Sequence, residues 1–268
     1  MLFRLALALV PVTALLLDPV EAVSQGMLSN VDLNGPEMST SEMTRAEVEA
    51  LLKTPPHDAA SPFQGKRLSH LDLSGLDFSG NNLRLVKLNR SSLKGARLDR
   101  AILNQAWLID ADLTQASLTK ASLLGTQMQR ARLGGADLSD SRITADLSGA
   151  SLVGAKLAGA DLSADMRNQS MGMMRGVLRS ADLTNADLSG ANLARADLEF
   201  AKLRNANLAN CNLSHADLSG ADLSDANLAG ADFTGTDLAS SLLPSPAALE
   251  KARNLDKALH LNQAQRPR

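Results

Sequence analysis

Four methionines within nine residues are the side chains in this sequence best suited to binding a soft metal ion. Thioether sulfur selects Cu(I) over harder cations. The segment Ser163–Val177, which contains them, has no His or Cys to complete such a site. A methionine copper site is one hypothesis for it, and flexible side chains filling an irregular core are the alternative. The four residues are Met166, Met171, Met173 and Met174.

Two further sets of residues are candidates for chemistry. Cys211 and His215 lie four residues apart and could supply a thiol nucleophile and its base. The carboxylates of Asp197, Asp217 and Asp237 recur every twenty residues and could hold a divalent cation. The sequence contains no glycine-rich phosphate loop, no Cys-x-x-Cys pair and no Gly-x-Ser-x-Gly motif. We therefore predict no enzymatic activity and no cofactor.

A five-residue period organises the chain from Leu68 to Leu243. Each unit has a small residue, usually Ala, then most often Asp or Asn, then Leu or another apolar residue, as in Ala181-Asp182-Leu183. Five fits neither the 3.6-residue period of a helix nor the two-residue period of a strand. It fits a chain that turns a corner in every unit, with Leu and Ala inside and Asp, Ser and Gly at the corners. One unit cannot bury its own leucine, so neighbouring coils must cover it.

The pattern Ala-Asp/Asn-Leu-Ser/Thr-x over residues 66–243 resembles the pentapeptide-repeat proteins. The resemblance implies an all-β solenoid, a right-handed quadrilateral β-helix with about twenty residues per coil and about eight to nine coils. Solenoid ends expose their core and need caps. We expect short capping helices at both ends of this one.

The period also assigns directions to the candidate side chains. Cys211 stands at an alanine position and should point inward, whereas His215 should point outward, so we expect no dyad. As the only cysteine in the chain, Cys211 cannot form an intrachain disulfide. We read the recurring aspartates as corner residues bonded to the backbone, and we predict no metal site there.

Outward apolar side chains are the candidates for contacting a partner. Trp107 and Ile109 should share one face, while Ile102 and Leu124 should lie on the adjoining face. Together they predict an apolar partner patch, although isolated surface apolar residues are normal. Phe200 is a second, separate candidate.

Two departures interrupt the period. The step from Ile143 to Leu147 is four residues, so one residue is missing near Ala145. Residues 163–177 lose the pattern altogether. A loop or bulged coil that relaxes the register is one interpretation, and a specific functional surface is the other.

The ends predict export and capping. Residues 1–22 read as a secretory signal peptide, with Arg4, an apolar stretch broken by Pro11, and a cut after Ala22. The alternative is an uncleaved anchor; after cleavage we expect no membrane span. Residues 23–65 predict a flexible segment and a short helix that begins with a Thr44–Glu47 capping box. Residues 244–268 predict a helix from Ser245 to about His260 and a tail.

Charge is distributed unevenly along the chain, although its net charge is only −2. Lys66–Ile143 carries twelve Lys or Arg and seven Asp, whereas Thr144–Leu243 carries seven Lys or Arg and twelve Asp or Glu. End-selective docking or head-to-tail association is one interpretation, and a well-solvated surface is the other. Because interleaved aromatic residues are missing, we do not expect nucleic-acid binding.

These observations predict a non-enzymatic exported scaffold that binds a protein partner. The periplasm is the expected compartment, and secretion or a thylakoid lumen are alternatives. A different function follows from the resemblance, because some pentapeptide-repeat proteins resemble B-form DNA and bind type II topoisomerases such as gyrase. The identity of the partner and the oligomeric state stay open.

Overall fold

Columns of leucine and alanine form one continuous core along the repeat. Leu183 and Leu188 have no exposed surface, and Ala186 is 1% exposed. Since each buried leucine side chain contributes about 1.5–3 kcal/mol, the columns dominate the stability of the fold. The computed structural model describes residues 31–53, 61–166 and 174–266. The described residues from Asp32 onward form one compact unit.

Single parallel bridges connect residues that lie twenty apart, such as Arg67 with Lys87 and Lys87 with Trp107. The N–H groups of nearly all inward leucines donate to a carbonyl of the next coil, as Leu68 does to Lys87 at 2.7 Å. A coil of twenty residues with the leucines inside confirms the predicted solenoid. The right-handed sense and the number of coils stay predictions.

The corners explain the polar positions of the repeat. The residue two places after most inward leucines has a left-handed backbone conformation, with φ of 59° at Asn185 and 67° at Gly190, which Gly and Asn tolerate best. The aspartate before the leucine accepts a backbone N–H from two residues on, as Asp187 does from Ser189 at 3.0 Å. The outward Asp or Asn thus stabilises the turn.

Helix α2, Arg45–Lys53, covers the N-terminal end of the solenoid. Its capping box forms as predicted: Thr44 N donates to Glu47 Oε2 at 2.7 Å, and Glu47 N donates to Thr44 Oγ1 at 3.3 Å. Val48 is fully buried against the core. Phe63 is also fully buried, so the core begins one unit before the predicted start at residue 66.

The segment before α2 departs from the prediction that it is flexible. It contains a short helix, α1, Pro36–Ser39. Its side chains contact the coils, because Lys87 Nζ lies 2.8 Å from Glu37 Oε2. Ser41 also forms an antiparallel bridge with Leu68. Within the described part of this segment, polar contacts that follow no periodic pattern fix the chain to the solenoid.

The C-terminal helix predicted to reach about His260 is wrong. Helix α3 spans only Pro246–Leu249, and two 3₁₀ turns follow at Leu255–Lys257 and Leu261–Gln263. Parallel bridges join Asp232 to Arg253, Asp237 to Leu259 and Leu242 to Gln265. This segment is therefore a further, irregular coil.

A six-residue period explains the last coil. Ala252, Ala258 and Ala264 recur every six residues and pack against the core. Asn254 adopts a left-handed backbone with φ of 55°, and its side chain donates to Asp232 Oδ1 at 2.9 Å. This hydrogen bond is the first cause of the low pKa of Asp232, about 2. Across the described residues, no helix is long and apolar enough to cross a membrane.

Replacing Leu188 by Asp tests the shared core. A buried, unpaired carboxylate adds a charge penalty to the loss of packing, which alone costs about 2–5 kcal/mol. We expect the thermal unfolding midpoint, followed by circular dichroism, to fall by more than 10 °C or the protein not to fold. Asn185→Asp puts the same side chain at an exposed corner and should leave the midpoint nearly unchanged. An unchanged midpoint for Leu188→Asp would contradict a dry interior.

Candidate functional site

The missing residue and the irregular segment lie on successive coils at one corner of the solenoid. Bridged residues are 19 apart from Gln127–Asp146 to Arg142–Asp161, and 31 apart from Asp146–Val177 to Asp161–Asn192. The backbone N–H of Ile143 donates to the carbonyl of Asp161, which places the two departures on neighbouring coils. The step from Leu162 to Leu178 is therefore one step of the coil with a long excursion inserted in it.

Hydrogen bonds close the base of the excursion. The N–H of Asp165 donates to the carbonyl of Met174 at 2.8 Å, and the N–H of Gly176 donates to the carbonyl of Leu162 at 2.9 Å. A Cβ on Gly176 would lie 3.0 Å from that same carbonyl oxygen, so only glycine fits without displacement. The core thus resumes at Leu178 in its normal position.

The predicted methionine set is only partly described. Met171 and Met173 lie outside the described residues. Met166 is half-exposed at 50%, and Met174 Cε would lie 3.4 Å from a Cβ built on Gly125. Met174 therefore fills space beside the corner of a neighbouring coil, as a flexible methionine can. The copper site stays a hypothesis.

Met174, near the end of the excursion, lies beside an apolar surface whose residues are distant from it in sequence. Leu85 is 46% exposed, and Ile102, Trp107 and Leu124 are half-buried around the turn at Asn104–Gln105. The N–H of Leu85 donates to the carbonyl of Asn104, and the N–H of Leu124 donates to Asn104 Oδ1. We call the following set the Leu85 corner: Leu85, Ile102, Trp107, Leu124 and Met174.

Ile109 does not belong to this surface, and the prediction that it contacts a partner is wrong. Its side chain is only 3% exposed. Its N–H donates to Asn89 Oδ1 at 3.0 Å, and Asn89 in turn donates to the carbonyl of Met38 at 3.2 Å. Phe200 is 59% exposed on a different corner, where its ring lies over Gly220.

Cations surround the Leu85 corner. Arg84 lies between Leu83 and Leu85 in the chain. Arg100 occupies the corner before Ile102, and Lys120 occupies the same corner one coil further on. All three are exposed, and within residues 31–53, 61–166 and 174–266 none of them pairs with a carboxylate. The surface therefore has an apolar centre with a positive rim.

Comparison with known proteins agrees with the geometry of the coils. The family model for pentapeptide repeats matches eight copies, over residues 67–105, 106–144, 145–164, 177–209 and 201–238. The chain belongs to the pentapeptide-repeat family. Members of this family are generally structural or interaction proteins. No curated protein matches the sequence significantly.

Solved pentapeptide-repeat structures are similar to this one. HetL, involved in heterocyst differentiation regulation in the cyanobacterium Nostoc, is 29% identical over 83% of this chain and 94% of its own, with a TM-score of 0.31. QnrB1, a plasmid-mediated fluoroquinolone resistance protein, is 21% identical over 77% and 85%, with a TM-score of 0.49. A protein of the Arabidopsis thaliana thylakoid lumen is 26% identical over 57% and 68%, with a TM-score of 0.24. Because these TM-scores lie below 0.5, none of these likenesses indicates a function.

In this pentapeptide-repeat protein the aspartate column contains a buried charge cluster. Carboxylate oxygens of Asp197, Glu199 and Asp217 lie within 4.8 Å of one another. Asp197 is 1% exposed, and Arg175 Nη2 and Arg179 Nε approach it to 2.8 and 2.7 Å. The hydrogen bond that Arg179 donates to the Asp197 carboxylate raises the pKa of the Arg179 guanidinium. Two guanidinium groups thus occupy the place that a cation would take.

The aspartates of the column also make the backbone hydrogen bonds predicted for corner residues. Asp197 accepts the N–H of Glu199 at 3.3 Å, Asp217 that of Ser219 at 3.0 Å, and Asp237 that of Ala239 at 2.9 Å. This confirms their interpretation as turn residues. Sequence alone did not reveal Arg175 as a partner of Asp197, because the excursion brings together residues that follow no fixed spacing.

The cysteine and histidine of the predicted non-dyad face different environments. Cys211 is fully buried, and its Sγ lies 2.8 Å from the carbonyl of Leu188. Burial raises the pKa of the Cys211 thiol to about 12. His215 stands at an exposed corner with φ of 57°. The buried thiol and the exposed imidazole thus lie in different environments, as the positions of the two residues in the repeat predict.

Thiol labelling tests the burial of Cys211. At pH 8 a thiol with a pKa of about 12 is almost wholly protonated, and protonated thiols do not attack disulfide reagents. We expect the folded protein to react with a chromogenic disulfide reagent at least about 100-fold more slowly than the same protein in guanidinium chloride. Because the chain has a single cysteine, the signal has one source. Equal rates in both states would contradict the inward position.

Removing both arginines tests the charge cluster at the base of the excursion. Arg175→Ala with Arg179→Ala leaves the Asp197 carboxylate buried without a cation, which should cost about 3 kcal/mol in urea unfolding. Adding Asp197→Asn should restore part of that loss, because a neutral amide costs less to bury. A triple variant less stable than the double variant would show that the charge is not the cause.

Proposed function

We propose that this pentapeptide-repeat protein is a non-enzymatic scaffold that binds a protein partner at the Leu85 corner. The observation that carries the proposal is a cluster of apolar side chains around one turn, where Leu85 is 46% exposed and Trp107 and Leu124 are half-buried. Exposed apolar clusters rimmed by polar residues mark sites of protein association. Trp107 is the natural anchor, since tryptophan dominates the energy of many interfaces.

The rigidity of the coils supports binding at this surface. The N–H of Leu85 is paired with Asn104, and that of Gln105 with Leu124 at 2.8 Å, so the backbone that carries the apolar side chains is held on both sides. A preorganised surface loses little conformational entropy on binding. The excursion adds Met174 to the same corner. The departure from the repeat thus enlarges the surface that we assign to the partner.

The positive rim selects the chemistry of the partner. Arg84, Arg100 and Lys120 favour a partner that carries carboxylates around an apolar anchor. It argues against the topoisomerase alternative, because DNA mimicry calls for an acidic surface along the solenoid. A supercoiling assay with gyrase, in the presence and absence of the protein, separates the two functions.

Export completes the proposed function. Residues 1–22 have the sequence of a signal peptide, and the periplasm is the compartment that we propose. N-terminal sequencing of protein recovered from the exported fraction checks this assignment. We expect it to begin at Val23, and an intact Met1 would contradict cleavage.

Cross-linking in the native compartment, followed by capture, tests the Leu85 corner. Trp107→Ala with Leu85→Ala removes the centre of the surface and should reduce the captured partner at least ten-fold, since hot-spot residues contribute about 2 kcal/mol or more. Phe200→Ala is the matched control, because it removes an exposed aromatic ring from another corner. Replacing residues 165–175 by a regular corner should also weaken capture. Equal capture by all variants would contradict the proposal.

A further inference from the structure

A second surface lies around Lys87, on the side of the coils that also carries Trp107, because Lys87 and Trp107 are bridged on successive coils. It contains Arg67, Lys87, Asn89 and Arg90, and we call it the Lys87 face. The segment Asn34–Ser39 of the same chain lies across it. Glu37 bridges two cations, with its Oε1 3.0 Å from Arg67 Nη1 and its Oε2 2.8 Å from Lys87 Nζ. These ion pairs lower the pKa of Glu37, the hydrogen bond from Lys87 being the largest cause.

Asn89 provides a polar anchor at the centre of the Lys87 face. Its side chain is 5% exposed, and its Oδ1 accepts the N–H of Ile109 at 3.0 Å. That bond fixes the amide so that its Nδ2 donates to the carbonyl of Met38 at 3.2 Å. A buried donor without a partner is costly. The Asn89 amide is therefore oriented to donate a hydrogen bond to the main chain of a segment that crosses the face.

A third contact sets the direction of the bound segment. Arg90 Nη2 donates to Asn34 Oδ1 at 3.2 Å. The three groups recognised on the segment are thus a side-chain carbonyl at residue 34, a carboxylate at residue 37 and a main-chain carbonyl at residue 38. The Lys87 face therefore recognises a short acidic motif through both its side chains and its main chain.

The segment is held weakly enough to be displaced. Helix α1 has no buried residue, and the Glu37 side chain is 69% exposed. Exposed ion pairs of this kind contribute little to stability, because water screens them. Because helix α2 and the core do not depend on these pairs, the segment can leave without opening the solenoid.

We propose that the Lys87 face is a binding site for a short acidic segment of a partner protein. Asn34–Met38 occupies the site as an intramolecular ligand and competes with that partner. The proposal rests on the proposed scaffold function, but it uses a different set of residues from the Leu85 corner. The cations alone would accept any anion. The pairing of a carboxylate with the next main-chain carbonyl, read by Asn89, is what favours a peptide.

A peptide-binding experiment with the full chain tests the proposal. The probe is a fluorescently labelled peptide with the sequence of residues 32–41, and binding is followed by fluorescence anisotropy. Asn34→Ala with Glu37→Lys, which repels Lys87 and Arg67, releases the internal segment. We expect this released variant to bind the probe at least ten-fold more tightly than the natural chain. Equal affinity for the two proteins would overturn the proposal.

Two further variants identify the site of binding. Adding Lys87→Glu to the released variant should abolish probe binding. Adding Lys202→Glu, which reverses an exposed lysine next to Asp182, should leave it unchanged. Probe binding that survives Lys87→Glu would overturn the proposal. So would displacement of the probe by single-stranded DNA at the same charge concentration as readily as by unlabelled peptide, because the face would then be a general anion site.

Hydrogen exchange separates a failure of binding from a failure of folding. The amide of Leu108, which donates to the carbonyl of Gln127 on the next coil, should stay protected in every variant if the coils are intact. The proposal fails if the probe does not bind a released variant whose Leu108 amide is protected. The scaffold function would survive that result, since capture at Trp107 and Leu85 is measured independently.

Discussion

The stacking of one coil on the next is the interaction on which the rest of this molecule depends. A leucine N–H reaches a carbonyl of the following coil only if the chain returns to the same side after one circuit, and the leucine side chain is covered only by the same return. Hydrogen bonding and burial therefore demand the same period. Dense packing of leucine beside alanine leaves little tolerance for a change in volume inside. The outward positions accept almost any polar residue, so surface residues can change to suit a function without destabilising the core.

The core stays continuous across both departures from the period. One residue is lost near Ala145 and a long excursion enters after Leu162, yet the leucine column passes through both without a gap. Gly176 allows the core to continue, because the absence of a side chain lets its backbone pack directly against Leu162. Met174 then covers part of the neighbouring corner. The irregular coil thus changes only the surface, and it does so next to the exposed side chains of the Leu85 corner.

Periodic features were predictable from the sequence, and features without a period were not. The burial of Leu188 and Cys211, the aspartate turns and the Thr44–Glu47 capping box follow from spacing. Ile109 was placed outside because its position in the repeat is normally polar, but Asn89 and the segment at Met38 cover it. The docked segment has no repeat, since its contacts are single polar pairs. The sequence predicts a helix for the last coil because Ser245-Pro246 matches a helix N-cap followed by proline, and the change of period from five to six hides the coil.

The parallel bridges and the N-terminal cap also determine an order of assembly. Each coil contacts its predecessor and its successor across about twenty residues of sequence, so contacts are local for a β-structure. Helix α2 provides a finished surface on which the first coil can wind. The chain can therefore fold coil by coil from its N-terminal cap, with each new turn templated by the one before. The irregular last coil covers the C-terminal end of the leucine column.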